Sequence, residues 1–286
     1  MTLDEIYKTA FDAKISRSVI GFVDGPPETS VKSIGSGTLI KFADIGGVLT
    51  CAHVIEALRA TAVTGIVTFP VRSWEFQNTT FDLAKCGLLK IGAPPWTEGG
   101  ADLALIILDP TTFSALCRLG SPIDLERQSS FMLSDGPETP CIEAVAGVVG
   151  EWSVDKTLSP TGRGVMKALL SQGQITSRSP LDPNAPDIIT FRPDDPKELV
   201  PTSYGGVSGG GFWRINIQDD GGPEKLTLLD VQLLGVAFWQ TKSPNRNILC
   251  HGPKDLYHVL LPLIREYRDN MPSHLQPLMT LGSRGI

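Results

Sequence analysis

The chain has 286 residues, with 25 basic and 31 acidic side chains and a formal charge of −6. That length supports one large domain or two small ones with real cores. The acidic balance gives no electrostatic reason to bind nucleic acid or an anionic membrane surface. No apolar run approaches the ~20 residues that cross a bilayer, and residues 1–5 lack the basic start of a secretory signal.

The chain opens on an amphipathic helix over residues 2–14. Leu3, Ile6, Tyr7, Ala10 and Phe11 share one face, and Thr2 with Glu5 fits a capping box. The helix is expected to pack over the end of a β domain; a contact site for a partner is the other reading. From residue 18 the pattern changes to strands. Segments 18–23, 33–42, 47–51, 65–71, 79–83, 87–91 and 103–108 are short, apolar and punctuated by turns such as Gly25-Pro26-Pro27. They suit a closed antiparallel barrel of about six strands. A short helix begins at Asp109-Pro110 and runs to 119.

Residues 121–140 are polar, contain Ser121-Pro122 and Gly136-Pro137, and read as a linker. A second strand set follows at 141–152, 165–176, 187–192, 210–217, 226–238 and 247–250. A closing helix spans 254–268. Leu256, Val259, Leu260, Leu263, Ile264 and Tyr267 hold helical spacing, and Pro262 marks a kink. Residues 270–286 read as a loose tail. The division expected is a helix at 1–16, a β domain at 17–120, the linker, a second β domain at 141–252, and a closing helix and tail at 253–286. No sequence repeat relates the two halves.

Cys51, Cys86, Cys117, Cys141 and Cys250 are scattered, with no CxxC pair. A structural zinc is not expected, and no cofactor or metal is implied. The cysteines read as reduced, mostly buried thiols of a cytoplasmic protein.

Three stretches carry chemistry. Gly205-Gly206-Val207-Ser208-Gly209-Gly210-Gly211 places one serine among glycines, which lets backbone amides approach a ligand. A serine with free amides beside it offers a nucleophile and donors for an oxyanion. Thr50-Cys51-Ala52-His53 ends an apolar strand in a histidine, a candidate base. Gly99-Gly100-Ala101-Asp102 leads into the apolar run Leu103-Ala104-Leu105-Ile106-Ile107. An acid there needs a hydrogen-bond partner, which a histidine N–H supplies. Asp82 and Asp109 are fallback acids, with a turn role more natural for Asp109.

These motifs, with Leu234-Gly235-Val236-Ala237-Phe238-Trp239, resemble the chymotrypsin/trypsin-like serine peptidase superfamily, nearest to its bacterial and intracellular members. The order His, Asp, Ser matches that template. The resemblance covers roughly residues 17–270 and implies an all-β fold of two six-stranded antiparallel barrels with the site between them. It implies a serine endopeptidase with His53, Asp102 and Ser208 as triad and the amides of Gly206 and Ser208 as oxyanion hole. Protein or peptide substrates follow, with no nucleic acid and no membrane.

The chain also departs from that pattern. Val207 stands where members activated by cleavage carry an aspartate that pairs with a freed N-terminus. The loop must then be set by packing, by substrate or by a regulatory protein partner. Phe238-Trp239-Gln240 replaces a serine-tryptophan-glycine run on the substrate strand; Gln240 narrows the pocket, and the strand's hydrogen bond to Asp102 is in doubt. Thr202 and Ser203 lie at the pocket floor without a charge, which favours a small, uncharged residue before the cut. His251 is either a core or surface histidine or one that reaches the pocket.

Two other readings stay open. One is an inactive trypsin-like fold that binds protein. The other is an esterase, since Gly206-Val207-Ser208-Gly209-Gly210 also fits a nucleophile elbow, although that elbow requires a helix after the serine and a histidine last.

Overall fold

The computed structural model describes residues 1–24, 32–61, 64–69, 77–132, 140–152, 168–180, 182, 184–194, 201, 203–222, 225–242 and 246–271. The turn at 25–27, Gly136-Pro137, Thr202 and the tail beyond 271 lie outside these residues.

The amino-terminal helix forms as its pattern requires. In α1 (Leu3–Ala10), Thr2 and Glu5 make both bonds of the capping box, and Ile6 and Ala10 are buried. The helix continues through a π turn, Phe11–Ile15, into α2 (Ser16–Ser18). It packs on the second half of the molecule, where Tyr7 Oη donates to the Leu170 carbonyl at 3.0 Å.

The first half holds β1 (Val19–Asp24), β2 (Lys32–Phe42), β3 (Ile45–Thr50), α3 (Ala52–Arg59), β4 (Thr64–Thr68), β5 (Gln77–Phe81), β6 (Gly87–Ile91) and β7 (Leu103–Ile107). The strands pair antiparallel in the order β5-β4-β1-β2-β3-β7-β6. All seven segments read from the sequence form strands, one more than the barrel of about six that their pattern suits, and among the described residues their order runs as a sheet rather than a closed barrel. The connection carries α4 (Pro110–Cys117), β8 (Ile123–Asp124) and α5 (Leu125–Met132), with β8 pairing β2 in parallel. Asp109 caps α4 by accepting from the amides of Thr111 and Thr112, and Asp82 likewise accepts from Ala84. Both fallback acids are therefore committed to caps.

Residues 121–132 are not a plain linker. Gln128 is buried, donating to the Val231 carbonyl and accepting from the Leu233 amide, as a neighbouring strand would. A polar residue docks this helix, so the segment reads as polar while being part of the packed structure.

The second half holds β9 (Cys141–Val148), β10 (Ala168–Arg178), β11 (Ile188–Pro193), β12 (Gly211–Asp219), β13 (Leu226–Gln240) and β14 (Ile248–His251). They close into a six-stranded antiparallel barrel, β10-β11-β14-β13-β12-β9. Buried residues of this barrel, including Trp213, Leu233 and Val236, belong to one apolar cluster with Leu39, Leu49 and Leu105 of the first half. The two halves thus share a core.

The closing helix is a π segment, Lys254–Leu260, followed by α6 (Leu261–Asp269). Pro262 falls in the first turn of α6, where its missing N–H costs little, and the wider π turn before it relieves the clash with the preceding carbonyl. Tyr257 Oη donates to the Leu233 carbonyl at 2.6 Å.

All five cysteines are free thiols. Cys51 and Cys250 are buried, Cys86 and Cys117 are half-buried, and Cys141 is exposed, so fewer are buried than expected. Burial pushes the Cys250 thiol up, and pushes Cys86 to about 11 with help from Asp109 and Asp82.

Candidate active site

His53 lies one step beyond the strand its sequence suggests. β3 stops at Thr50, and His53 sits in the first turn of α3, whose Val54, Ile55 and Leu58 are buried. The first amides of a helix lack intrahelical partners. One of these, the His53 N–H, donates to Asp102 Oδ1 at 2.9 Å. The other carboxylate oxygen meets His53 Nδ1 at 2.5 Å. Asp102 is 1% exposed at the start of β7, so both oxygens are used and the charge is held in place. Asp102 thus fixes the ring twice, through the helix terminus and through the imidazole.

The partner of the Asp102 backbone was not legible. The Asp102 N–H donates to His251 Nε2 at 3.0 Å, and His251 Nδ1 lies 2.7 Å from Asp255 Oδ2. Accepting at Nε2 requires the proton on Nδ1, which the Asp255 carboxylate accepts. His251 is fully buried and does not reach the pocket, which settles its alternatives in favour of the core. Asp255 also accepts from the Asp187 amide, and Asp187 takes a bidentate pair from Arg178 at 2.7 and 2.6 Å. An acid four residues after a strand-end histidine was the available sequence signal.

Phe238, read from the sequence as standing where the resemblance would put a serine, makes no hydrogen bond to Asp102 among the described residues. The β13–β14 register slips between Ala237 and Trp239, so Phe238 is the extra residue of a bulge. Its ring stacks on His251 with centroids 4.4 Å apart. Its carbonyl leaves the ladder and accepts from Ser208 Oγ at 3.2 Å. Among the described residues no hydrogen bond joins the Ser208 hydroxyl to the His53 ring. Both line the same cavity of about 200 Å³.

That cavity is also lined by Ser203, Tyr204, Val207, Trp239, Gln240 and Ile248, with no Asp, Glu, Lys or Arg among the described residues. Gln240 Oε1 accepts from the Tyr204 amide at 3.0 Å, which holds its side chain across the pocket. Trp239 Nε1 donates to Glu98, and the Trp96 ring stands 6.5 Å from that of His53. Beside Ser208, the amides of Gly206 and Ser208 donate to no group among the described residues.

The ligand atoms of Cys51, His53 and Asp102 lie within 4.8 Å of one another. His53 and Asp102 are already committed to each other. Burial, and then the Asp102 charge, push the Cys51 thiol well up, so its thiolate is disfavoured as nucleophile or ligand.

The fold is the trypsin-like, chymotrypsin-type serine peptidase fold. A serine endoprotease from Yersinia pestis matches with a TM-score of 0.50 and 14% identity, over 91% of this chain and 67% of that one. A protease from M. tuberculosis, Rv3671c, matches in its inactive form at 15% identity over 91% of this chain and 95% of that one, with a TM-score of 0.43. Its active form matches at 17% identity over 86% and 80%, with a TM-score of 0.42. No family model matches the chain, and no curated protein matches it. At these identities the Yersinia likeness speaks to the fold. No helix among the described residues is long and apolar enough to cross a membrane.

Proposed function

We propose that this chain is a serine endopeptidase with His53, Asp102 and Ser208 as its triad. The observation that carries the reading is the doubly hydrogen-bonded, buried Asp102–His53 pair across one cavity from Ser208. Asp102 holds the proton on Nδ1, leaving Nε2 as the base. Turning about its side-chain bond takes the Ser208 hydroxyl from the Phe238 carbonyl toward that base. Ser208 then attacks the peptide carbonyl while His53 takes its proton. The negative oxygen is received by the Gly206 and Ser208 amides, and His53 passes the proton to the leaving amine. Water, activated by His53, releases the acyl group from Ser208.

The small cavity with its uncharged lining supports cleavage after small, uncharged residues. The same reading places the chain in the cytoplasm, acting on protein or peptide substrates under a regulatory protein partner. An unfolded protein incubated with the chain should be cut internally after such residues, and Ser208→Ala should abolish the cuts. Intact substrate at every condition would contradict it.

A second reading, a binding module that keeps the fold, draws on the Ser208–Phe238 bond. It requires that peptide bind equally well to the parent chain and to Ser208→Ala, with neither cutting.

A further inference from the structure

The oxyanion loop is set without the ion pair that Val207 removes. In a trans peptide the C=O and N–H point to opposite sides. The Gly205 carbonyl accepts from the Gly150 amide at 2.7 Å, which turns the Gly206 N–H away from Gly150. The Val207 carbonyl accepts from the Gly210 amide at 2.7 Å, which does the same for the Ser208 N–H. Between these peptides the Gly206 carbonyl accepts from Ser36 Oγ at 2.6 Å.

Ser36 lies on β2, in the other half of the molecule, and is fully buried. Its hydroxyl oxygen also accepts from the Val148 amide at 2.7 Å. Its proton therefore has one destination, the Gly206 carbonyl. The Ser36 amide donates to the Ser208 carbonyl at 2.8 Å, so one residue grips both ends of the 206–208 segment. Gly206 has φ +95°, and an added Cβ would meet Gly150 N and Val148 O at 2.9 Å. Val207, where the charge of cleavage-activated members would sit, is 2% exposed in a cluster with Tyr204, Val145 and Phe212.

We propose that the Ser36 hydroxyl is the positioning residue that holds the oxyanion loop ready to donate, in place of a freed chain end. This rests on the serine-peptidase reading above and deepens it: control of the enzyme does not act through assembly of this loop. Nothing in the clamp titrates near neutral pH and nothing in it requires cleavage of the chain. A partner would regulate access to the cleft instead.

Ser36→Ala tests this, with kcat and KM measured on an ester substrate and affinity measured for a peptide boronate, whose tetrahedral oxygen occupies the oxyanion site. We expect kcat to fall about ten- to a hundredfold, below the cost of deleting a donor outright. The boronate should weaken by the same factor, with KM nearly unchanged. Gly150→Pro deletes the other clamp, the Gly150 N–H, and crowds the Gly205 carbonyl with its ring, so wherever the variant still folds it should act alike. A crystal structure of Ser36→Ala should show the 206–207 peptide turned, its carbonyl no longer directed at residue 36 and the neighbouring Gly206 N–H shifted from its place at the cavity. Unchanged kcat and boronate affinity in folded variants of both kinds, or an unturned peptide, would overturn the inference. A parent chain that neither cleaves nor binds the boronate would instead overturn the serine-peptidase reading, and the inference with it.

Discussion

Ser208→Ala and His53→Ala should each lower kcat by about 10⁶, and the double variant should lower it no further. The reason is that the two side chains act as one unit. Without a base, the Ser208 hydroxyl is a poor nucleophile at neutral pH; without the hydroxyl, the His53 base has nothing to activate but water. A loss of that size is about 8 kcal/mol of barrier. What remains should come from substrate binding and from the amides of Gly206 and Ser208, which donate to no group among the described residues. Single-turnover kinetics on an ester substrate measure all three variants. Losses that add across the pair would show that Ser208 and His53 work separately.

Asp102→Asn should cost about 10⁴ in kcat while leaving the fold intact. The geometry fixes which way the amide must sit. Oδ1 of Asp102 accepts from the His53 backbone amide, so an asparagine must keep its oxygen there. Its NH₂ then faces Nδ1, where Oδ2 now lies. A donor at that place forces Nδ1 to accept and moves the ring proton to Nε2. The base would then be blocked toward Ser208. Asp102→Ala should differ, since it also strips α3 of a terminal hydrogen bond and removes a buried group that holds the helix. Thermal melting separates the two: Asp102→Asn should stay near the parent and Asp102→Ala should fall. A fully active Asp102→Asn would remove Asp102 from the triad.

Much of this site was legible because its chemistry is local. Thr50-Cys51-Ala52-His53, Gly100-Ala101-Asp102 and Gly206-Val207-Ser208 each announce themselves within a few residues, and the strands around them follow turn punctuation. Helix α3 was missed because the reading stopped at His53, although Val54, Ile55 and Leu58 already hold a helical stripe. Helix α5 was missed because Gln128 docks it through the backbone of β13, which a hydropathy pattern does not register.

The supports of the site were hidden by distance along the chain. His251 reaches Asp102 across 149 positions, and Ser36 reaches Gly206 across 170. Ser36 looked like an ordinary strand residue, and Phe238 looked like a loss of a hydrogen bond. Only the register slip at Phe238 explains how its carbonyl faces Ser208 while its ring covers His251. Side-chain identity names the reacting groups, but what holds them depends on which strands meet.

The most direct measurement is covalent labelling with a fluorophosphonate, mapped by mass spectrometry. The account predicts a single adduct on Ser208 in the parent chain and none in His53→Ala. No adduct on Ser208 under any condition, or an adduct indifferent to His53→Ala, would contradict it.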